Sequence, residues 1–279
     1  MADGVMEDGR VEKPLLIASD IDGTLLTTDN DLSPRTASVI NRILASDTPF
    51  VLVTGRPPRW IPPVASLAGL SGYAVCANGA IIYDIAASAV VSVHGLEPML
   101  LHDIAHTLQS VLTDTHLATE WAVVGPYDGG ITFATEPGFR NPWGDAETNY
   151  RPRAEVLGKP ATKLLVRHEK MTSTEMAMAA RELLGDAVDV TFSTNSGLIE
   201  ISAPGVTKAL GLAEVASWAG VAATDVVAFG DMPNDIEMLR WAGHGVAMAN
   251  AHKLVVAAAD EVTAAHDEDG LALVLERWF

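Results

Sequence analysis

Residues 15–24 read LLIASDIDGT, and this stretch decides how the rest of the chain is interpreted. Residues 15–18 form an apolar run of the length that a strand buried on both faces requires. Asp20 and Asp22 follow directly, and two carboxylates two residues apart point the same way from an extended chain. Gly23 then allows the backbone to turn sharply. The stretch predicts a buried strand that ends in a pair of acids.

A buried pair of carboxylates needs a chemical reason. Two like charges cannot both stay ionised at low cost unless a cation lies between them or one of them holds a proton. This requirement suits a nucleophile, Asp20, beside an acid/base group, Asp22. The alternative for this motif alone is an Asp-Gly turn without further function.

Further apolar runs of strand length recur near both ends of the chain, with helical segments between them. Ser33-Pro34 has the form of an N-cap with proline at the first helical position, and it predicts a helix over residues 33–46. Helices are also predicted near 234–242 and 251–259. Such alternation means right-handed βαβ crossovers and a parallel sheet, which is an α/β fold. The predicted strands lie at 15–18, 50–53, 73–76, 226–229 and 245–248.

The middle of the chain has a different pattern. An amphipathic helix at about 97–112 precedes two candidate strands, 119–124 and 131–135, which turn-forming residues join as a hairpin. The elements that follow are a strand, a helix and two strands, at 162–167, 172–184, 188–193 and 198–202. This order is α+β. We therefore expect an inserted α+β domain at residues 85–202, within a discontinuous core domain of residues 1–84 and 203–279.

Residues that suit phosphate binding follow other elements. Thr54, Gly55 and Arg56, after the second run, offer a hydroxyl, room for close backbone approach and a cation. A plain turn is the alternative for these three residues alone. Lys208 begins a predicted helix at 207–220, where the helix dipole disfavours a cation, so a negative group nearby would explain it. A solvated lysine is the alternative.

A fourth polar stretch, GDMPND at residues 230–235, follows the run at 226–229. Asp231, Asn234 and Asp235 supply two carboxylates and an amide, which are hard oxygen ligands suited to Mg²⁺. Helix capping by Asn234 or Asp235 is the alternative. The carboxyl ends of parallel strands meet at one edge of a sheet, so all four polar stretches are expected to converge there.

The four motifs, in this order and at strand ends, resemble those of the haloacid dehalogenase (HAD) superfamily of phosphohydrolases. More narrowly, the chain is similar to the Cof-type subfamily, in which a large α+β cap of the C2 (type IIB) class is inserted between the second and third motifs. Residues 78–80, 245–251 and 267–270 resemble further stretches typical of that branch. The resemblance implies a Rossmann-like parallel-sheet HAD core and a cap domain that sets substrate specificity.

The resemblance also implies residue roles. Asp20 would attack phosphorus and form an aspartyl-phosphate, and Asp22 would protonate the leaving oxygen and then activate water. The groups implied to hold phosphate are Thr54, Gly55, Lys208 and Asn234, with Arg56 as a further contact. Magnesium would be bound by Asp20, the backbone carbonyl of Asp22 and Asp231, with Asp235 supporting the shell.

The expected function is a Mg²⁺-dependent phosphatase that hydrolyses small phosphomonoesters, because a large lid over the site favours small metabolites over phosphoproteins. Sugar phosphates are expected first, then flavin mononucleotide (FMN) and pyridoxal phosphate. One alternative is a phosphotransferase or phosphomutase that passes the same aspartyl-phosphate to a sugar hydroxyl. The other is a non-catalytic module that binds phosphometabolites, although a binder would not need both a nucleophile and its acid/base partner.

Composition narrows the partners further. The chain has 18 Lys plus Arg against 36 Asp plus Glu, a net charge of −18 that repels nucleic acid and anionic membrane surfaces, so neither is expected as a partner. A single cysteine, Cys76, fits a reducing compartment. Residues 1–13 lack the pattern of a secretory signal, and no apolar stretch reaches membrane-spanning length. We expect a cytoplasmic protein, either a monomer or a homodimer.

Overall fold

A computed structural model describes residues 12–126, 132–142, 144 and 149–279. In chain order, helices α1 to α9 span Pro34–Ala45, Ile61–Ala68, Pro98–Gln109, Arg153–Val156, Ser173–Leu184, Lys208–Ala219, Ile236–Trp241, Lys253–Val256 and Gly270–Leu275. Strands β1 to β15 span Leu16–Ser19, Phe50–Val53, Tyr73–Cys76, Ile81–Asp84, Ala89–Val93, Thr115–Trp121, Gly125–Pro126, Phe133–Thr135, Asn149–Tyr150, Ala161–His168, Asp189–Thr191, Leu198–Ser202, Val226–Gly230, His244–Ala247 and Glu261–Val262.

A mostly parallel sheet forms the first layer, with the strand order β15-β14-β13-β1-β2-β3-β4-β5-β7. The pairs from β15 through β3 are parallel, and those from β3 onward are antiparallel. Every residue of β1 is buried, as expected for a central strand covered on both faces. The predicted α/β fold with a parallel sheet is confirmed.

The carboxyl end of β1 is the point where the strand order reverses. Its neighbour β2 follows it in the chain, whereas its other neighbour β13 comes about two hundred residues later. Ligands of open α/β sheets bind at such a switch point, in the crevice outside the carboxyl ends of the strands. Strands β1, β2 and β13 all end at this crevice, so the polar stretches that follow them begin there.

A second sheet, with the order β11-β12-β10-β6-β8-β9, is antiparallel except for the pair β8–β9. Helices α3 and α5 pack on it around an apolar core of their own. This is the α+β layer expected for the middle of the chain. We call it the cap, and the first sheet with its helices the core domain. Strand β5 extends the first sheet past residue 85, and the domain limits 85 and 202 stay predictions.

Three details of the predicted elements differ from the structure. The helix expected at 251–259 is the single turn α8, because Asp260 then bonds Gly245 through its backbone N–H and its carboxylate, and the chain extends into β15. Strand 119–124 is shifted toward the N-terminus, to β6. It pairs antiparallel with β8 as a hairpin requires. Residues 127–130 of the expected turn and residue 131 of the expected second strand lie outside the described residues. Helix α2 was not predicted. It carries Pro62 and Pro63 in its first turn, where the missing N–H groups cost no intrahelical hydrogen bond.

Candidate active site

Asp20 lies at the end of β1, at the bottom of the crevice. Its backbone N–H donates to the carbonyl oxygen of Phe229 on β13 at 3.0 Å, so the residue still belongs to the sheet ladder. Only 6% of its surface is exposed. One carboxylate oxygen, Oδ1, accepts a hydrogen bond from Lys208 Nζ at 2.7 Å. The sheet thus holds the predicted nucleophile in one orientation and leaves its second oxygen for other ligands.

Lys208 is the first residue of α6, a position where the helix dipole disfavours a cation. Its ammonium group is fully buried and also bonds Asp235 Oδ1 at 2.6 Å. Burial lowers the pKa of this lysine, but the carboxylates of Asp20 and Asp235 outweigh burial and raise it above the ordinary value. Lys208 is therefore a fixed positive charge between two carboxylates. The negative neighbours expected from its position in the helix are present.

A third carboxylate completes the cluster. Asp20, Asp231 and Asp235 each offer an oxygen, and these three oxygens lie within 4.8 Å of one another. Both Asp235 oxygens already accept bonds, Oδ1 from Lys208 and Oδ2 from the backbone N–H groups of Asp231 and Met232 at 3.0 and 2.9 Å. Asp235 therefore fits a supporting role, and Asp20 and Asp231 have the better placed free oxygens.

The electrostatics of this cluster favour a cation. Burial, more than the neighbouring charges, raises the pKa of Asp20 well above its ordinary value. Burial and then the Asp235 charge raise the pKa of Asp231 to about 7. Three carboxylates share one ammonium group, and hard oxygen donors at this spacing are the ligand set that Mg²⁺ prefers. The residues present therefore fit the expected metal ion.

The acidic cluster predicts a Mg²⁺ effect on stability that depends on pH. Because the pKa of Asp231 is raised in the folded protein, this group stabilises the metal-free folded state at pH values below its unfolded pKa of about 4. That stabilising contribution is lost as pH rises through about 7. Mg²⁺ binds the ionised form, so we expect it to raise the melting temperature more at pH 8 than at pH 6. Thermal unfolding at both pH values, with Ca²⁺ and Na⁺ as controls, measures this. An equal or larger shift at pH 6 would contradict the expected site.

Gly23 holds the loop after β1 against Asp231. Its φ is +76°, and a Cβ atom there would lie 2.5 Å from Asp231 Oδ2. The adjacent Thr24 donates from Oγ1 to Asp231 Oδ1 at 3.1 Å. The Asp-Gly turn is thus real, and it also fixes a carboxylate from the other end of the chain. The turn of the alternative interpretation is therefore present, and the catalytic roles of Asp20 and Asp22 stay predictions.

Gly23→Ala should both destabilise the fold and weaken Mg²⁺ binding. The alanine side chain adds a cost of about 1–3 kcal/mol for the left-handed backbone and pushes the Asp231 carboxylate out of place. Gly205→Ala is the matched control, because Gly205 has the same φ of +76° and no atom near its missing Cβ. Calorimetric Mg²⁺ titration of the two variants separates the effects. Equal Mg²⁺ affinities would show that Gly23 serves the backbone alone.

Asp22 and Thr54 lie at the mouth of the crevice. Both carboxylate oxygens of Asp22 accept from Arg56, with Nε to Oδ2 at 2.8 Å, and 57% of the Asp22 side chain is exposed. Thr54 is buried, and its Oγ1 accepts from the Arg56 N–H at 3.1 Å. The Asp22 side chain lies outside the acidic cluster. Arg56 contacts the predicted acid/base group here, and its contact with phosphate stays a prediction.

A cavity of about 450 Å³ lies over Asp20, between the crevice and the cap. Asp22, Thr54, Gly55, Arg56 and Asn234 line it from the core domain. Glu120, Lys163 and Glu200 line it from the cap sheet. A volume of this size matches the pockets that hold small metabolites. The predicted nucleophile therefore shares this cavity with Thr54, Gly55, Arg56 and Asn234. Lys208 is fully buried, bonds Asp20 and is not part of the cavity lining.

Three residues of this site were missed from the sequence as functional groups. Lys163 and Glu200 are buried charges on cap strands, and Lys163 Nζ donates to Glu200 Oε2 at 2.8 Å. Asn78 is a buried amide with a positive φ of 57° that bonds both Glu200 and Asn234. A signal was available, because a lone charge interrupts the apolar runs TKLLV and LIEIS. An isolated charge in a buried strand needs a partner.

Comparison with known proteins decides the family. Residues 17–275 match the family model described as haloacid dehalogenase-like hydrolase. The chain is a member of this family. Among relatives of the hydrolase, YcsE of Bacillus subtilis (strain 168), a 5-amino-6-(5-phospho-D-ribitylamino)uracil phosphatase, is 30% identical over 94% of this chain and 95% of its own. YbhA of Escherichia coli (strain K12), a pyridoxal phosphate phosphatase, is 27% identical over 92% of this chain and 96% of its own.

A solved structure supports the fold. The hydrolase superposes on the HAD subclass IIB sugar phosphatase BT4131 with a TM-score of 0.78, at 21% identity, over 94% of this chain and 98% of that one. The resemblance to Cof-type HAD hydrolases is confirmed, and so is the enzyme class, a phosphoric monoester hydrolase. Among the described residues, no helix combines the length and apolarity needed to cross a bilayer.

Proposed function

We propose that this hydrolase is a Mg²⁺-dependent phosphatase of small phosphorylated metabolites that works through an aspartyl-phosphate on Asp20. The observation that carries the proposal is the placement of Asp20. Its carboxylate is buried at the bottom of an enclosed cavity, bonded to Lys208, and within reach of the oxygens of Asp231 and Asp235. A buried carboxylate beside a fixed cation and a metal-binding cluster suits a nucleophile that must approach an anionic phosphate.

The reaction divides between the two carboxylates of the DxD motif. An oxygen of Asp20 forms a bond to phosphorus while the bond from phosphorus to the leaving oxygen breaks, and Asp22 gives that oxygen a proton. In the second step Asp22 takes a proton from water, the water oxygen bonds to phosphorus, and the bond to Asp20 breaks. Arg56 contacts both carboxylate oxygens of Asp22, so one of these contacts has to open when Asp22 takes up or gives a proton. The products are an alcohol and inorganic phosphate.

Phosphate has to be held in a strongly acidic site. Two unit charges 4 Å apart interact with about 4 kcal/mol at an effective dielectric constant of 20, so uncompensated carboxylates would repel the substrate. Lys208, the Thr54 hydroxyl, the Gly55 backbone and Asn234 are the groups we assign to the phosphoryl oxygens. Asp20, Asp231 and the Asp22 carbonyl would hold Mg²⁺, with Asp235 supporting these ligands, and the bound ion would supply neutralisation of charge on the phosphoryl group.

The substrate class follows from the cavity and from the relatives. Its volume of about 450 Å³ accommodates a metabolite and excludes a phosphoprotein segment. The relatives named above act on a phosphoribityl pyrimidine and on pyridoxal phosphate, both small phosphate esters. We therefore propose phosphate esters that carry a heteroaromatic ring, including the expected FMN and pyridoxal phosphate, as candidate substrates beside the expected sugar phosphates.

Phosphate release from a panel of esters, with Mg²⁺ and after chelation, tests the proposal. The panel contains sugar phosphates, FMN, pyridoxal phosphate and 5-amino-6-(5-phospho-D-ribitylamino)uracil. We expect release from at least one ester with Mg²⁺ and none after thorough chelation. A second phosphorylated product in place of free phosphate would identify a phosphotransferase or mutase. Ester binding without turnover would identify a binding module.

A further inference from the structure

The ion pair between Lys163 and Glu200 joins the cap to the core domain. Leu165, two residues beyond Lys163 on β10, is the cross-strand partner of Glu200 on β12, so the two charged side chains are diagonal neighbours on one face of the cap sheet. Their side chains are only 6% and 3% exposed. Each also bonds a residue of the core domain, which an ion pair internal to the cap would not need to do.

Lys163 holds a peptide group beside the phosphate site. Its Nζ donates to the carbonyl oxygen of Gly55 at 2.9 Å. The other end of the same peptide, the Arg56 N–H, donates to Thr54 Oγ1 at 3.1 Å. A peptide group is planar and trans, so fixing its C=O also fixes the direction of its N–H. The Thr54 oxygen that accepts this bond still has its own hydrogen to donate into the cavity.

Glu200 orders a chain of amides on the opposite side of the site. Its Oε2 accepts from Asn78 Nδ2 at 3.0 Å, and Asn78 Oδ1 accepts from Asn234 Nδ2 at 3.0 Å. A carboxylate can only accept, so Asn78 must turn its NH₂ group toward Glu200 and its oxygen toward Asn234. The orientation of the Asn234 amide is thereby set from the cap. The second N–H of that amide remains to be donated to an anion.

We propose that Lys163 and Glu200 are a positioning pair, which orients the phosphate-binding groups Thr54 and Asn234 when the cap packs on the core domain. The pair does this through the Gly55–Arg56 peptide and through Asn78. The proposal rests on the phosphatase function and deepens it. Cap closure then completes the phosphate site as well as covering it, and an enzyme with a displaced cap binds phosphate weakly.

A purely structural ion pair predicts something different. Removing one partner leaves a buried unpaired charge and is strongly destabilising, whereas neutralising both partners of a buried pair often restores stability. If the pair only stabilised the cap, activity would follow stability in such variants. If it positions Thr54 and Asn234, the neutral pair will regain stability and remain slow, because neither side chain can then hold its core partner with a full charge.

Lys163→Met and the double variant Lys163→Met/Glu200→Gln separate these cases. We expect Lys163→Met to lower the melting temperature by roughly 10 °C and the double variant to recover at least about half of that loss. In both, kcat/KM should fall on the order of 100-fold, by the same factor for every ester hydrolysed. Recovery of kcat/KM together with stability would overturn the proposal. A loss that differs among esters would also overturn it, because the two side chains would then contact the leaving group.

A second cap ion pair provides the matched control. Arg153 bonds the buried carboxylate of Glu136, which also accepts from the Leu117 backbone, and none of these contacts involves the core domain. The Arg153 side chain is 37% exposed, against 6% for Lys163. Arg153→Met and Arg153→Met/Glu136→Gln should therefore give smaller stability changes of the same direction, with kcat/KM within about threefold of wild type. The nearly isosteric Glu200→Gln serves if the methionine variants do not fold, and we expect it to lower kcat/KM about tenfold at an unchanged far-UV spectrum. Wild-type kcat/KM in that variant would overturn the proposal.

Binding of inorganic phosphate with Mg²⁺, measured by calorimetry, distinguishes this proposal from the phosphatase function. We expect the Lys163→Met/Glu200→Gln variant to bind phosphate about tenfold more weakly than wild type, and the Arg153 variants to bind it normally. If wild type binds phosphate but hydrolyses no ester, the proposed function is wrong and the affinity comparison still decides the positioning role. Equal phosphate affinity in wild type and the neutral pair would overturn that role whatever the activity.

Discussion

Asp20→Asn should abolish phosphate release while leaving the fold intact. The amide has the shape of the carboxylate but cannot form the bond to phosphorus, and loss of a covalent nucleophile lowers kcat on the order of 10⁴-fold or more. The variant also removes one of three clustered buried carboxylates, which lowers the charge repulsion within the cluster. Charge repulsion should therefore not destabilise the metal-free variant. Phosphate release under saturating ester and Mg²⁺, with circular dichroism of both proteins, is the measurement.

Asp103→Asn is the control for that experiment, because Asp103 is an exposed acid on α3 of the cap. It should leave the rate within twofold of wild type. Residual release from Asp20→Asn above about one part in a thousand, after deamidation has been excluded by mass spectrometry, would argue that water attacks phosphorus directly. Asp20 would then be a metal ligand only.

Lys208→Met should cost both stability and activity. The substitution leaves Asp20 and Asp235 without the ammonium group that bonds both, and removing one partner of a buried ion pair costs about 3–5 kcal/mol. Catalysis should fall on the order of 10³-fold, because a fixed positive charge beside the transferred phosphoryl group is lost. Urea unfolding without metal and phosphate release with Mg²⁺ measure the two effects.

The stability loss in Lys208→Met should shrink as pH falls. Protonation removes the charges that the lysine neutralised, and the pKa values of Asp20 and Asp231 are already raised by burial. We therefore expect a larger difference from wild type at pH 8 than at pH 5.5. Lys253→Met is the control, since Lys253 is likewise the first residue of a helix but is exposed. A loss independent of pH would mean that packing of the lysine stem, not its charge, stabilises the core domain.

The core domain, and the polar residues at the carboxyl ends of its strands, could be predicted because the sequence patterns that indicate them are local. A strand buried on both faces is a continuous apolar run, and the polar residues at its carboxyl end follow within a few positions, as Asp20 follows β1 and Asp231 follows β13. The parallel order of strands then brings these ends together without any further information. A cation at the start of a helix indicated a negative neighbour for Lys208, and the structure identifies Asp20 and Asp235 as the residues that it bonds.

The cap side of the cavity could not be predicted in the same way. Lys163 and Glu200 meet because β10 and β12 pair antiparallel in one register, and a shift of one residue would turn either side chain to the other face of the sheet. The periodicity of a single strand determines neither its register with a neighbouring strand nor the packing of one sheet over another. Asn78 was noticed as part of a motif, but its role depends on Glu200, which comes 122 residues later.

The position of β1 in its sheet also has a consequence for synthesis of the chain. One edge of this apolar strand pairs with β2 as soon as residue 53 is available, whereas the other edge has to wait for β13, which begins at Val226. An unpaired, buried-type strand edge is a site of aggregation, and domains fold as units while the chain emerges from the ribosome. The cap strands lie between Thr115 and Ser202, with β7 of the first sheet among them, so the cap can fold in that interval. The residues that surround Asp20 are therefore the last to be completed during translation. Slowing synthesis before residue 226 should increase chaperone binding to the nascent chain.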